Sequence, residues 1–398
     1  MYDRMLPNLD QRLFSILNQT WPKFSENEMA RRRLLFEKAM EKNEVGHLIL
    51  YGSGGNGTAV PWITNWSVTN EVVCLITPGE KDTMFVQYYN HVPLAEKIAD
   101  SSEVYWGGES TIQSVISEIK CRNGLNQRIG IIGPLQFKAY QILKATSLDL
   151  VDMNQDYLEM RMVKSDEEID WFKIGASLSD LSIKSLENEV NPGLNEHQIA
   201  DIIERAYIPW GGRTGIHFIG STSMEKPSIH VPAQYTSNRI IEEGDIIITE
   251  ISVKFGEYSG QVLRTFVLGT QPTPIFRRLH ETADAAFEEI FKKIKPGSTC
   301  SSLIEAGKLI DDAGFTICDD LIHGYGGGYL PPVLGLPSRR TEKIPDLTLE
   351  TGMMLVIQPN VITLDKRFGV QTGECVVVTE KGCESLHQSK RGLIQINL

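Results

Sequence analysis

EEGDIIITEISVKFGEYSGQVLRTFVLG, residues 242–269, is the stretch that decides how this chain is read. After the acidic turn EEGD comes DIIITEIS, an almost wholly apolar run that reads as a strand, with Glu250 in its middle. An ionised carboxylate stranded there is costly unless it is paired or hydrogen-bonded. Desolvation raises its pKa, which suits a general base or a nucleophile. The plain alternative is a strand-end glutamate that faces solvent.

Working outward, 398 residues exceed one ordinary domain and predict two. With 41% hydrophobic and 23% charged residues the composition is that of a globular protein. A net charge of −12 argues against nucleic acid or an anionic membrane as the main partner and leaves a small-molecule substrate as the expected one. The six cysteines, at 74, 121, 300, 318, 375 and 383, form no C-x-x-C pair, which fits neither a disulfide framework nor a structural zinc site. The start, MYDRMLPNLDQRLF, has charges where a signal peptide needs an apolar run, and no stretch has the length of a membrane span. These features predict a soluble, cytoplasmic protein.

Residues 1–23 read as an irregular arm or short helix. Residues 26–43 carry a helical stripe at Leu34, Leu35, Ala39 and Met40. HLILY (47–51), EVVCLIT (71–77), TMFVQYY (83–89) and RIGIIG (128–133) read as strands of an α/β domain ending near residue 155. A long amphipathic helix begins after Ser165, which with Glu168 makes a capping box. The expected domains are therefore 1–157 and 158–398. Within the second, NPGLNEHQIADIIERA from Asn191 and KPGSTCSSLIEAGKLI from Lys295 repeat a Pro-Gly turn followed by a helix. That repeat predicts two pseudo-symmetric α+β halves with any active site between them. GSGGNG (52–57) matches a dinucleotide fingerprint, but Pro61, Trp62 and the residues after them are poor helix material, so it reads as a glycine loop.

IHVPAQYTSNRIIEEGDIIITEIS and FGEYSGQVLRTFVLG resemble the catalytic core of the pita-bread peptidases, a family that includes Xaa-Pro aminopeptidases, prolidases, methionine aminopeptidases, creatinase and ectoine hydrolase. RMVKSDEEI (161–169), KPGST at 295, HGYGGG at 323, LETGMMLVIQP at 349 and GVQTGECVVVTEKG at 369 follow in family order, so the resemblance spans roughly 160–390. It implies an α/β N-terminal domain, an α+β pita-bread catalytic domain with a pseudo-two-fold repeat, and a homodimer. It also implies that Trp62, Asn65 and Trp66 lie in a loop reaching the neighbouring subunit's pocket.

The departures matter more. At the five positions where the resemblance places metal ligands, this chain has Glu250, Gln261, Gly327, Gln358 and Gly373, with His323 and Glu374 nearby. Two divalent cations need several carboxylates and a histidine. The expectation is therefore no metal and no other cofactor. His230, in H-x-P, matches the histidine that shuttles protons in creatinase, whose two working glutamates fall here on Leu263 and Gln358. The strand around Glu250 and HGYGGGYLPP are most similar to the metal-independent ectoine hydrolases.

This reading predicts a metal-independent hydrolase of a C–N bond in a small polar molecule: a cyclic amidine, lactam, ureido or amide compound. Glu250 is the expected nucleophile or general base and His230 the proton shuttle. His323, Gln261, Gln358, Tyr258 and Glu374 are the candidate substrate contacts, Glu374 with the alternative of pairing with Arg264. Glycine amides of 324–328 are candidates to stabilise developing charge, and Arg339 and Arg340 to bind a substrate carboxylate. The rival readings are an atypical Xaa-Pro aminopeptidase or dipeptidase, a non-catalytic small-molecule or peptide binder, and a lyase using the same two residues.

Overall fold

Ser165 accepts the amide N–H of Glu168 while the Glu168 carboxylate takes the N–H of Ser165, and from this closed cap runs a 24-residue helix, Asp166–Glu189. The helix lies on a nine-stranded sheet. Gly260, in that sheet, allows the close approach: a Cβ there would stand 2.1 Å from the Ala176 Cα. The computed structural model describes residues 5–122, 127–326, 328–339 and 343–398. It divides the chain into two units, Gln19–Arg161 and Met162–Leu398, the latter taking in Met1–Asn18.

The larger unit's sheet runs, in hydrogen-bonded order, Tyr329–Leu334, Ile322–Tyr325, Met354–Ile357, Gly373–Thr379, Tyr258–Leu268, Asp245–Phe255 and Arg213–Ser223; its other two strands, Gly382–Ser385 and Ile394–Ile396, pair off this path with Gly373–Thr379 and Tyr258–Leu268. Its two halves repeat. In the first, the Gly193 N–H donates to the Ile241 carbonyl at 2.9 Å and the Ile241 N–H to Leu194 at 2.8 Å. In the second, Gly297 donates to Leu349 at 2.8 Å and Leu349 to Ser298 at 2.9 Å. Each pairing leads from a Pro-Gly turn into a helix, Glu196–Tyr207 or Cys300–Gly307. Each also aligns a turn, 242–244 or 350–352, whose chain continues into an apolar strand. Residue by residue, this superposes Glu250 on Gln358. The second half closes its core with the helix Pro274–Lys293, which buries Phe276, Leu279, Ala283, Phe287 and Ile290. Full burial of such side chains contributes about 1.5–3 kcal/mol each.

The smaller unit is a six-stranded mixed sheet in the order Ser102–Trp106, Asp82–Val86, Val72–Ile76, Val45–Gly52, Arg128–Ile132 and Leu150–Asp152. It contains the four strands expected from sequence, together with Ser102–Trp106 and Leu150–Asp152, which the hydrophobic pattern did not suggest.

Several expectations are corrected here. The division falls at 161/162 instead of 157/158, and the arm joins the larger unit, where Arg12 forks onto Asp170 and the Ser177 hydroxyl donates to the Asn8 carbonyl. The helix Glu26–Lys42 does not bury Leu34, which is 48% exposed; its inner face is Glu28, Arg32, Phe36, Ala39 and Met40. A short helix, Ala59–Thr64, does follow the glycine loop, because a proline in its first turn removes no helical hydrogen bond. Trp62 and Trp66 are buried in this unit's own core, and Trp62 packs edge-on against Phe36 and Tyr157. All six cysteines are free thiols. Among the described residues no helix is long and apolar enough to cross a membrane.

Candidate functional site

Sheet register sorts the candidate residues before any side-chain contact is considered. Glu250 pairs with Leu263, Leu263 with Gly373, and Ser252 with Gln261. Ile357 pairs with Glu374, so Gln358, just past the strand end, continues the row beyond Gly373. Side chains alternate along a strand. Glu250, Gln261 and Gln358 therefore share one face, whereas Arg264 and Glu374 project from the other.

On the shared face the three meet directly. Gln261 Nε2 donates to Glu250 Oε1 at 2.9 Å and to Gln358 Oε1 at 3.0 Å. All three are buried, Glu250 being the most open at 8% exposure. Burial, with the charge of Asp319 second, pushes the Glu250 carboxyl up to about 7.

His323 completes the cluster from the strand Ile322–Tyr325. Its Nδ1 faces the Gly324 carbonyl at 3.0 Å, and a carbonyl only accepts, so Nδ1 carries the proton. Nε2 therefore presents a lone pair, buried beside the Gln358 side chain. Burial holds the ring neutral, its pKa lowered to about 4. The Tyr329 ring stacks on the imidazole at 4.0 Å and 15°.

His230 stands on the same side of the sheet. Gly220, paired with Ile248 two residues from Glu250, has the 229–232 segment against it: a Cβ there would come within 3.3 Å of the Pro232 Cα. The His230 carbonyl in turn backs onto Gly369. The imidazole is half-buried, and desolvation and Lys366 lower its pKa. Among the described residues no hydrogen bond joins it to Glu250.

Two predicted substrate contacts are corrected. Glu374 is engaged on the opposite face by Arg264 Nη2 at 2.6 Å, Ser385 Oγ at 2.7 Å and Arg391 Nη1 at 2.9 Å. Tyr258 also points away, giving its hydroxyl to Glu168 at 2.8 Å and packing on Trp171 and Phe172. Odd-even parity along the strand is the reason in both cases. Leu263 is a buried neighbour of Glu250. Arg339 is exposed. Gly327 and Arg340 lie outside the described residues.

Sequence reasoning missed Asn360 and Asp319. Asn360 Oδ1 accepts the N–H groups of Cys318 and Asp319, both at 2.8 Å, and Nδ2 donates to the carbonyls of Asp320 and Gln358. It thereby fixes an acidic loop beside Gln358. The pair Asp319-Asp320, just ahead of His323, was the available signal.

The donors present do not make a two-cation centre. One carboxylate and one imidazole are joined by two amides whose polar atoms are turned on each other, and amides do not offset cation charge. At Gly373 a side chain has no room, because a Cβ would stand 2.3 Å from the Ile357 carbonyl oxygen. Among the described residues no group of three or more His, Cys, Asp or Glu is placed to hold a metal ion.

With this geometry in view, the model of Metallopeptidase family M24 matches residues 170–380. An uncharacterized hydrolase/peptidase of Sinorhizobium fredii is 25% identical over 94% of this chain and 98% of its own length. A Xaa-Pro dipeptidase of Pyrococcus furiosus is 24% identical over 67% of this chain and 76% of its own. Among solved structures, the X-Pro aminopeptidase of Thermotoga maritima superposes with a TM-score of 0.78 at 18% identity, covering 92% of this chain and 99% of that one. The prolidase of Pyrococcus horikoshii gives 0.76 at 21% identity, covering 92% and 100%. At these identities the likeness of structures concerns the fold.

Proposed function

We propose that this chain, which belongs to metallopeptidase family M24, is a metal-independent hydrolase of a C–N bond in a small polar molecule. The observation that carries the reading is the Glu250 carboxyl: buried, raised to about 7, and held by Gln261 where a metal centre would need charge. A carboxylate tuned to neutrality is matched to proton transfer at neutral pH.

In this mechanism the Glu250 oxygen not bound by Gln261 takes a proton from water as the water oxygen bonds to the electrophilic carbon. The C–N bond then breaks, and the proton held by Glu250 passes through His230, which is neutral before the step, to the leaving nitrogen, so that both groups return to their starting states. The net change is one water added across the C–N bond. A route in which Glu250 attacks the carbon itself differs by one readout: single turnover in oxygen-18 water labels the Glu250 carboxylate only on that route. A homodimer, implied by the resemblance, belongs to the same reading and is tested by sedimentation velocity.

The deciding experiment is hydrolysis of a panel of cyclic amidines, lactams, ureido compounds and amides by chelator-treated protein. Activity that survives metal removal and disappears in folded Glu250→Gln supports the reading; activity that needs added Mn, Co or Zn overturns it. A second reading, a Xaa-Pro dipeptidase, is favoured by the relative of that name. It expects metal-dependent cleavage of Xaa-Pro dipeptides by the same preparation.

A further inference from the structure

Glu196 is a buried carboxylate that the hydrolytic scheme does not use. It opens the helix Glu196–Tyr207 and is 4% exposed. Its Oε1 accepts the Ser221 N–H and hydroxyl, both at 2.8 Å, and its Oε2 accepts the Ser237 N–H at 2.8 Å and hydroxyl at 2.7 Å. Donors on both oxygens offset the cost of burying the charge. Ser221 lies near the end of the strand Arg213–Ser223, and Ser237 on the return of the loop toward Asp245–Phe255. His230 stands between them in the chain.

The strand Arg213–Ser223 is an edge of the sheet, and the loop returns along it. At Ile219 the two pair directly: Ile219 donates to the Ala233 carbonyl at 3.1 Å, and Ala233 to that of Ile219 at 3.2 Å. Two residues on, the next outward N–H of the edge is that of Ser221, and Glu196 takes it. The other oxygen of the same carboxylate holds Ser237, so the side chain continues a ladder that the loop backbone has left. Arg239 closes the arrangement, donating to Ser221 Oγ at 3.0 Å and forking onto Asp245 at 2.6 and 2.9 Å.

The pseudo-two-fold repeat shows what the charge is not for. Asn195 and Thr299 are equivalent helix N-caps, bridged to Ile240 and Thr348 respectively. The residue after each cap is Glu196 in one half and Cys300 in the other. Cys300 starts its helix with a thiol that reaches the Leu347 carbonyl at 3.4 Å. A first-turn carboxylate suits the helix dipole, yet an exposed one would do that without the cost of burial. The buried charge stands in the half whose loop carries His230.

We infer that Glu196 is a positioning residue: by tying Ser221 to Ser237 it holds the 224–237 loop on the sheet and so fixes where the His230 imidazole stands. What His230 does there rests on the hydrolase reading; where it is held does not.

Hydrogen–deuterium exchange and the reactivity of His230 test this without turnover. Glu196→Gln keeps the shape of the side chain but sets an amide N–H against a serine N–H. It is expected to speed exchange across 224–239 by about tenfold or more, with the protection of Asp245–Phe255 unchanged. Acylation of His230 by diethyl pyrocarbonate, read by mass spectrometry, is expected to quicken severalfold. Should that variant fail to fold, Ser237→Ala, which loses the hydroxyl bond alone, is expected to give the same local pattern at about two- to fivefold. Exchange and His230 reactivity as in wild type overturn the inference, and so does a loosening shared equally by the whole sheet. Where wild type hydrolyses a member of the panel, Glu196→Gln is expected to lower kcat by about tenfold with KM nearly unchanged, and to add nothing in a His230→Ala background. A kcat that is unchanged, or lowered equally with and without His230, overturns the positioning role. Wild type that hydrolyses nothing sinks the hydrolase and leaves the loop to be decided by exchange and acylation, so the two readings fail separately.

Discussion

Glu250 and Glu374 are buried carboxylates on opposite faces of one sheet, and they are held in opposite states. Around Glu374, burial works to raise the pKa, but Arg264, His387 and Ser385 outweigh it and the group is lowered. Around Glu250, among the described residues, burial is offset by no cation; the like charge of Asp319 adds to it, and the group rises to about 7. Depth does not separate them, since both are under a tenth exposed. What separates them is whether the pseudo-two-fold partner carries a charge. By register Arg264 and Glu374 are equivalent positions of the two halves and make an ion pair at 2.6 Å. Glu250 and Gln358 are likewise equivalent, and there the partner is an amide.

The largest effect expected from breaking this contrast is at Arg264. Arg264→Met leaves Glu374 buried without its main cation and should cost about 3–5 kcal/mol by urea denaturation. A loss below about 1 kcal/mol would mean that Arg391 alone sustains the anion.

Next comes Glu250→Gln. A carboxyl whose folded pKa lies above its unfolded value of 4.5 binds its proton more tightly when folded, so its contribution to stability falls as pH rises from 4.5 through about 7. At pH 8 the amide escapes that penalty, and the variant should be more stable than wild type, on the order of 3 kcal/mol at most. His323 has the opposite sign: lowered from 6.5 to about 4, it loses stability as pH falls through that interval. Between pH 4.5 and 6.5 the two slopes oppose each other in the wild type. Thermal melts of Glu250→Gln should therefore uncover a stability that climbs with pH across this window. A flat profile there would remove the assigned role of one of the two groups.

A smaller change sharpens the picture at Gln261. Gln261→Leu removes the N–H that Glu250 Oε1 accepts, so the Glu250 pKa should climb further, read as a shift of the acid limb of kcat/KM. Smallest is Tyr258→Phe, which loses one hydrogen bond to Glu168 and should cost about 1–2 kcal/mol with no movement of the pH profile. A moved profile would return Tyr258 to the site.

Much of this was legible in the residues. The capping box at Ser165, the Pro-Gly repeats and the apolar run around Glu250 are local patterns, and local patterns place helices and strands. The site was half legible. Glu250, Gln261 and Gln358 come together as the motif spacing implied, but Glu374 and Tyr258 do not. A strand reverses its side chains at every residue, so a position one step off a motif lands on the wrong face. Asn360 and Asp319 were overlooked because their role lies in backbone groups of a loop, which no side-chain pattern announces.

The sequence by itself determined that a carboxylate would be buried in an apolar strand at 250, and that its family's charged positions had become amides and glycines. Hydrophobic patterning and residue identity suffice for both. Only the tertiary structure decided which buried carboxylate keeps its charge. That depends on Arg264 reaching a residue 110 positions away and on the amide of Gln261 bridging Glu250 to Gln358. These are properties of strands brought together across the sheet, and the electrostatics follow from the neighbours that the fold supplies.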